Sequence, residues 1–289
     1  MESGSSEGRT VLVLGARSQI GEYLLPALVQ GGYRVLAATR GRFPTDAAGA
    51  VWVRVDSAGC VSPRSGPLWA VVNLAPIKLL PAMLQQFSAQ GVSRLIAFSS
   101  TSVFTKVKSH DPHERELVRS LLEAERAIAS HASETSLHWT VLRPTLVYSW
   151  GRDRNVSEIG RFVRRFRVFP LLGQGTGARQ PVHAQDLADA CLAALDNQAT
   201  FGKAYNLAGA RRLTYRRMVE EIFLFQGLTP RVVTLPGWLI RGCIQCARPI
   251  PRFRNLSPEL ATRMQTDMCF DSDAARVDFG FDPRPFALP

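Results

Sequence analysis

A short apolar strand, a turn bounded by glycines and a helix open the chain, and this order limits its fold more than any other feature. Thr10–Leu14 is a continuous apolar run rich in β-branched residues, which is typical of a strand buried on both faces. The segment from Gly15 to Gly21 follows, then apolar residues recur at helical spacing up to Gly31 and a second strand is predicted at Tyr33–Thr39. Such a βαβ unit implies parallel pairing and a right-handed crossover.

The alternation continues along the first half of the chain. Four more strands are predicted, at Val51–Val55, Ala70–Leu74, Arg94–Ser99 and Trp139–Leu142. Helices are predicted at Pro81–Gln90 and from Asp111 to about His131, where Asp111 is the N-cap, Pro112 the first helical residue and Glu114 a capping glutamate. Six strands with interleaved helices predict an α/β fold, a Rossmann-like doubly wound parallel sheet.

At 289 residues the chain fits one large domain or two joined lobes. We expect a disordered lead-in over residues 1–8 and a Rossmann domain over 9–150, completed by a return segment at about 178–208. A small mixed C-terminal substrate lobe is expected over 151–177 and 209–289. Within it, one predicted helix combines an apolar face with flanking arginines: Ile159, Phe162, Val163 and Phe166, with Arg161, Arg164 and Arg165 off that face. The end of the chain, Phe281–Pro289, is expected to run as an extended tail over the surface.

Charge and cysteine content bear on partners and location. The formal net charge of +11 favours anionic partners such as nucleotide phosphates, although an arginine-rich composition without specific meaning explains it equally well. Nucleic-acid binding has no supporting motif or aromatic platform. Five cysteines, an odd number without paired metal-ligand spacing, fit a reducing compartment and a cytoplasmic location, and no metal is predicted. The lone Cys243–Cys246 pair favours neither zinc nor redox chemistry.

No apolar run is long enough to span a membrane, because Asn73, Pro76, Lys78 and Pro81 interrupt the longest candidate. The N-terminus lacks the basic and apolar pattern of a secretory signal. Near the C-terminus, Trp238, Leu239, Ile240 and Ile244 allow two interpretations: packing within the small lobe or peripheral contact with a membrane surface.

The turn after the first strand is the expected dinucleotide site, because a helix N-terminus offers free N–H groups and glycines let the backbone approach a phosphate. Its residues are Gly15, Ala16, Arg17, Ser18, Gln19, Ile20 and Gly21. At the end of the second strand, NAD requires a carboxylate for the ribose hydroxyl, whereas an arginine suits the 2′-phosphate of NADP. The sequence has Arg40 and Arg42 there and no carboxylate, so NADP is favoured and NAD is less well supported.

Several segments in this order resemble the extended and atypical short-chain dehydrogenases/reductases, the NAD-dependent epimerase/dehydratase superfamily. They are Val11–Gly21, Val72–Ala75, Leu95–Phe104, Thr140–Tyr148, Pro181–Ala188 and Ala204–Gly209. The resemblance implies that Asp56, Asn73, Leu74 and Ala75 contact the cofactor and that Pro144–Val147 approaches its nicotinamide. It also implies a catalytic role for Ser100 and a small-molecule substrate, phosphorylated or nucleotide-linked, contacted by Arg179.

The family's usual Tyr and Lys, four residues apart on the long helix, have no counterparts. Aligning that helix on Glu125 places Leu117 and Leu121 at the two positions, in an expected apolar stripe with Ala124 and Ile128. Three interpretations stay open. Another group supplies the proton, with Tyr148, Lys106, Lys108 and His110 as candidates; hydride transfer proceeds with Ser100 and water; or the protein binds a dinucleotide without chemistry, as a sensor or assembly subunit. His183 and Asp186 are expected to be structural, at the start of a helix.

Overall fold

The computed structural model describes residues 8–43, 49–55, 67–235 and 263–289. A seven-stranded sheet lies at its centre, and every pairing within this sheet is parallel. Its strands are β1 (Thr10–Leu14), β2 (Arg34–Thr39), β3 (Val51–Arg54), β4 (Ala70–Asn73), β5 (Arg94–Phe98), β6 (His138–Pro144) and β11 (Lys203–Leu207). The spatial order β11-β6-β5-β4-β1-β2-β3 reverses direction between β1 and β4, which confirms the Rossmann-like doubly wound sheet.

The apolar pattern predicts six strands and does not predict the seventh, β11. It pairs in parallel with β6, with Tyr205 beside Leu142. Only Tyr205 and Leu207 are deeply buried, and Lys203 is exposed while Ala204 and Asn206 are half-buried. An edge strand of this kind lacks the continuous apolar run by which buried parallel strands are recognised.

Helices cover both faces of the sheet. The α-helices of the described residues are α1 (Gly21–Gln30), α2 (Leu84–Ala89), α3 (Ser102–Thr105), α4 (Pro112–Ser133), α5 (Val156–Phe166), α6 (Ala184–Leu195), α7 (Tyr215–Phe225) and α8 (Asp273–Phe279). Helices α1 and α6 pack on one face and α2 and α4 on the other, each around its own apolar cluster. Among the described residues, no helix combines the length and the apolarity needed to cross a membrane.

The helix predicted at Pro81–Gln90 begins differently in the structure. A 3₁₀ helix, Ile77–Met83, comes first, and only Leu84–Ala89 is α-helical. Proline has no N–H to close an α-helical turn, so Pro81 delays the start of the α-helix by about one turn.

A third apolar cluster lies among the elements that interrupt the alternation of strands and helices. These are α5, α7 and three two-stranded sheets, formed by β8 (Phe169–Leu172) with β13 (Val232–Leu235), β9 (Ala178–Arg179) with β12 (Leu213–Thr214), and β7 (Val147–Tyr148) with β10 (Val182–His183). The C-terminal tail differs from the surface course expected for it, because the Phe286 side chain is buried in this cluster. An aromatic ring loses more by exposure than the tail gains in freedom. The domain boundaries expected from the sequence stay a prediction.

Candidate functional site

The turn between β1 and α1 is compact because two of its positions have no room for a side chain. Gly15 has φ +71°, and a Cβ there would lie 2.6 Å from the backbone nitrogen of Ala75. A Cβ at Gly21 would lie 2.1 Å from the carbonyl oxygen of Ala16. The amide of Ser18 donates to the Gly15 carbonyl at 2.9 Å, and the Ser18 hydroxyl accepts from the Gly21 amide at 3.2 Å. The first amides of α1 are bonded within the turn, Gly21 and Glu22 to Ser18 and the next two to the Ile20 carbonyl. What fits an anion site is therefore the bare glycine backbone at the helix N-terminus, which lets a phosphate approach closely.

One cavity of about 440 Å³ lies on the β2 side of this turn. Its walls include Arg17 and Ser18 of the turn, Arg40 after β2, and Leu74 and Ala75 after β4. The Arg17 guanidinium reaches the same loop as Arg40, since its Nη1 atom lies 3.1 Å from the point where a Gly41 Cβ would be. Arg42 is one of the described residues, but it does not line this cavity. The two arginines that line this cavity are therefore Arg17 and Arg40, whereas the sequence placed Arg40 and Arg42 at the end of β2.

Buried polar atoms without partners face this region. Asn73, fully buried at the end of β4, donates from Nδ2 to the Ala75 carbonyl at 2.9 Å, but its Oδ1 has no hydrogen-bond partner among the described residues. The Oε1 atom of Gln19 is buried and also lacks a partner in the described part of the chain. A buried polar atom left unpaired is costly, so these atoms fit contacts to a bound polar group. Together with the glycine turn, they fit a dinucleotide.

The other residues expected to bind the cofactor lie away from both cavities or outside the described residues. Ala16 and Ile20 are buried beneath the turn, and Pro144 ends β6, where its carbonyl accepts from the Thr101 amide at 3.1 Å. None of these three residues lines either cavity. Asp56 lies outside the described residues, as do Cys243, Cys246 and the Trp238–Ile244 segment.

A second cavity of about 850 Å³ lies on the other side of the turn. Gln19 and Ser100 line it from the carboxyl edge of the sheet, and Thr145–Val147 continue its wall after β6. The opposite wall comes from the α5, β8 and α7 elements, so this cavity lies between the sheet and the third apolar cluster. The Ser100 hydroxyl donates to the Ser102 hydroxyl at 3.0 Å and accepts from the Ser102 amide at 3.1 Å, which fixes its position.

Of the alternative proton donors, the structure brings only Lys106 to this cavity. Lys106 lines the cavity with Ser100, whereas Lys108 and His110 are exposed and do not line it. The Lys106 ammonium lies 3.2 Å from the Glu114 carboxylate, which also pairs with Arg263. Glu114 therefore binds cations and the Ser109 hydroxyl rather than capping α4 as the sequence predicted; Asp111 alone provides the side-chain cap, at 2.9 Å from the His113 amide.

Tyr148 points away from both cavities. Its hydroxyl donates to the carbonyl of Ala287 at 3.3 Å, and its ring contacts His183 and Phe286 edge-on. Burial raises the pKa of the Tyr148 hydroxyl above its ordinary value. These contacts fasten the C-terminal tail.

Arg179 lies in the wall of the second cavity, almost fully buried. Its guanidinium donates to the carbonyls of Ala178 and Thr266 at 2.8 and 2.9 Å and to that of Arg263. It also lies 5.4 Å from the centre of the Tyr215 ring. Burial lowers its pKa, but no carboxylate among the described residues pairs with it. A buried cation with only carbonyl partners suits an anionic ligand.

Helix α4 presents no acid or base to the second cavity. The positions that correspond to the family's Tyr and Lys are Leu117 and Leu121. Leu121 is buried in the core, whereas Leu117 is 41% exposed, so Leu117 does not belong to the apolar stripe expected from the sequence. Val118 takes its place beside Leu121, Ala124 and Ile128. No residue of α4 lines the cavity.

His183 and Asp186 hold α6 in place. The His183 Nδ1 accepts from the Gln185 amide at 3.2 Å as the N-cap, and Asp186 accepts from Arg284 Nε at 2.6 Å. Burial lowers the pKa of His183, and the nearby Arg284 cation adds to this effect.

The geometry defines a class: a Rossmann-fold protein with a glycine turn between two cavities. Residues 68–208 match the model of the NAD dependent epimerase/dehydratase family. This part of the chain is similar to that family, which the motifs quoted from the sequence also resemble.

Several curated proteins are similar to this chain over different lengths. A 2-alkyl-3-oxoalkanoate reductase of Stenotrophomonas maltophilia is 24% identical, over 95% of this chain and 94% of its own. The mitochondrial NADH dehydrogenase [ubiquinone] 1 alpha subcomplex subunit 9 of Arabidopsis thaliana is 32% identical over 42% of this chain, and the chain spans 29% of it. The chain spans half of an uncharacterized Sinorhizobium fredii protein that is 28% identical over 68% of this chain.

The fold is also found in a UDP-glucose-4-epimerase from Stenotrophomonas maltophila, solved with bound NAD and formylated UDP-arabinopyranose. The TM-score is 0.71 and the identity 19%, with 96% of this chain and 94% of that chain covered. At this identity the likeness shows the fold alone.

Proposed function

We propose that this chain is an NADP(H)-binding oxidoreductase of the epimerase/dehydratase type, which transfers hydride to or from a carbonyl or alcohol carbon of an anionic small molecule. The observation that carries the proposal is the position of the glycine turn between two cavities. Ser18 lines the cavity that holds Arg17 and Arg40, and Gln19 lines the cavity that holds Ser100. A dinucleotide laid across this turn has one half in each cavity.

The adenosine half belongs in the smaller cavity, and its charge favours NADP over NAD. A 2′-phosphate beside Arg17 and Arg40 meets two guanidinium groups, which suit phosphate in both charge and geometry. No described residue that lines this cavity carries a carboxylate to receive the free ribose hydroxyl of NAD. The unpaired Asn73 Oδ1 lies at the same edge of the sheet.

A bound nicotinamide supplies or accepts the hydride, and the chain must handle the proton. In the reducing direction, a carbonyl gains a hydride at carbon and a proton at oxygen. The Ser100 hydroxyl, held by the Ser102 amide, can turn its proton away from the Ser102 hydroxyl and donate it in a hydrogen bond to that oxygen. The Lys106 ammonium carries a transferable proton at the same cavity, and Glu114 holds it in place.

The lining of the larger cavity supports an anionic substrate. Arg154, Arg179 and Arg263 line it together with Lys106, whereas Glu158 is the one carboxylate in the described lining. Arginines of this kind recognise carboxylate or phosphate groups in two-point contacts. Phosphorylated and nucleotide-linked molecules meet this requirement, and the structural neighbour from Stenotrophomonas maltophila holds a UDP-sugar derivative with NAD.

A second candidate function is a dinucleotide-binding sensor or assembly subunit without turnover. The absence of α4 residues from the cavity lining favours it, since the family's usual Tyr and Lys lie on that helix. The Arabidopsis thaliana relative is itself named as a subunit of a larger NADH dehydrogenase. Both candidates share the cofactor site and differ in whether the cofactor is consumed.

Ser100→Ala separates these two functions. With NADPH and a panel of ketones and aldehydes bearing carboxylate or phosphate groups, the enzyme is expected to oxidise NADPH in a carbonyl-dependent manner. Loss of the Ser100 hydroxyl should lower turnover about 100-fold and leave NADPH affinity unchanged, since one such donor contributes roughly this much. NADPH absorbance and fluorescence measure the two quantities. Tight NADPH binding with no oxidation across the panel favours the subunit.

A further inference from the structure

The larger cavity has two chemically different ends. Ser100 and Lys106 lie at the end formed by the sheet. At the other end, the wall is built of apolar side chains from α5, β8, α7 and the segment after residue 262. They are Ile159, Phe162, Phe169, Met218 and Met264. Phe162 and Phe169 contact each other edge-on, with ring centres 5.6 Å apart.

Two polar side chains of this cavity, Gln180 and Thr145, are bonded inside the protein. The Gln180 amide donates from Nε2 to the Gly209 carbonyl at 3.2 Å, and its Oε1 accepts from the Phe270 amide at 2.8 Å. The Thr145 hydroxyl donates to the Gln180 carbonyl at 2.5 Å. Recognition of a nucleobase or of sugar hydroxyls requires free donors and acceptors, since selectivity for such groups comes from hydrogen bonds that are otherwise left unpaired. These residues offer few.

Other polar side chains of the lining include Asn155, Glu158 and two arginines, Arg154 and Arg179. Arg154 is exposed at the cavity and has no ion pair among the described residues. Arg179 has carbonyl partners alone, as described above. The cavity therefore combines positive charge with a wide apolar wall, and two of the wall residues are methionines, whose unbranched side chains adapt to different shapes.

We propose that the substrate of this cavity is an amphipathic anion: a carbonyl compound with a carboxylate or phosphate for Arg154 and Arg179 and an alkyl tail that packs against Phe162 and Met218. This inference rests on the proposed function and names its substrate class. An apolar tail gains from leaving water, by up to about 0.8 kcal/mol per buried methylene, equivalent to about fourfold in affinity. A nucleotide-sugar gains nothing comparable from this wall.

Titration of the full chain with butanoate, octanoate, dodecanoate and UDP-glucose, by isothermal calorimetry with and without saturating NADP⁺, tests this assignment. Affinity should rise about two- to fourfold with each added methylene, and dodecanoate should bind more tightly than UDP-glucose. Phe162→Asp should flatten this dependence on chain length. Phe166→Asp is the matched control, because Phe166 lies on the same helix, is 57% exposed and does not line the cavity.

A second pair of variants tests the charged end. Arg154→Gln should weaken all three carboxylates by a similar factor of about three to ten, whereas Arg164→Gln, on the exposed side of α5, should weaken none. Equal affinity for all chain lengths, the same length dependence in Phe162→Asp, or tighter binding of UDP-glucose would overturn the inference. If NADP⁺ fails to bind but the length dependence is present, the proposed function fails and the assignment of the cavity stands.

Discussion

Arg94→Leu is expected to lower the free energy of unfolding by about 3–5 kcal/mol, because it leaves several buried oxygens without donors. Arg94 begins β5 and is 2% exposed. Its guanidinium reaches five acceptors within 3.2 Å: the carbonyls of His138, Ala194 and Leu195 and the hydroxyls of Thr140 and Thr200. The Phe201 ring lies 4.7 Å from the guanidinium carbon.

The charge of Arg94 is compensated without a carboxylate. Burial lowers its pKa to about 10, so it is still protonated at neutral pH. Ala194 and Leu195 are the last residues of α6, and the carbonyls at a helix C-terminus carry partial negative charge. Arg94 thus joins α6 and β6 to the amino-terminal edge of the sheet.

Urea unfolding followed by circular dichroism measures this loss. Arg34→Leu is the matched control, since Arg34 begins strand β2 of the same sheet but is exposed, and it should change stability by less than about 0.5 kcal/mol. An Arg94→Leu protein as stable as the control would show that the buried guanidinium is not required to hold α6.

Lys106→Met is expected to lower carbonyl-dependent NADPH oxidation by at least about 100-fold, with little change in NADPH affinity. General acid catalysis contributes this much when the donor is positioned at the reacting oxygen. Methionine keeps a long flexible side chain and removes the proton. The loss should fall on kcat rather than on KM, because the proton is transferred only after the substrate has bound.

Lys108→Met is the control for this effect. It removes the same charge two residues away, from an exposed side chain that does not line the cavity. Equal activity of the two variants would assign the loss to overall charge, and full activity of Lys106→Met would exclude Lys106 as the donor. Measuring both at several pH values adds a second check, since the pH profile should change in Lys106→Met alone.

The sequence predicted the first half of the fold well because each buried parallel strand is a short continuous apolar run. Thr10–Leu14 is both the clearest such run and the observed β1. Strand β11 escaped this rule because it lies at the edge and mixes exposed with buried positions. The stabilising role of Arg94 could not be predicted from the sequence either. An arginine at the start of a strand is ordinarily solvated, and the partners of Arg94 lie more than 40 residues away along the chain.

The candidate site was predictable where it depends on local sequence and less so where it depends on packing. Gly15, Gly21 and Arg40 follow from their positions after strands, and the structure places them around one cavity or beneath it. The second guanidinium at this cavity, from Arg17, depends on the path of a side chain across the turn. Whether Lys106 or Lys108 reaches the cavity depends on the path of the chain after α3, where Lys106 pairs with Glu114.

Parallel titrations of NADPH and NADH, followed by nicotinamide fluorescence, test the NADP(H) site most directly. The wild-type chain should bind NADPH more tightly, and Arg40→Ala should weaken NADPH by about tenfold or more while leaving NADH nearly unchanged. Arg42→Ala, in the same loop but outside the cavity lining, should alter neither. Equal affinity for the two nucleotides, or an Arg40→Ala protein that keeps the preference, would contradict the site described here.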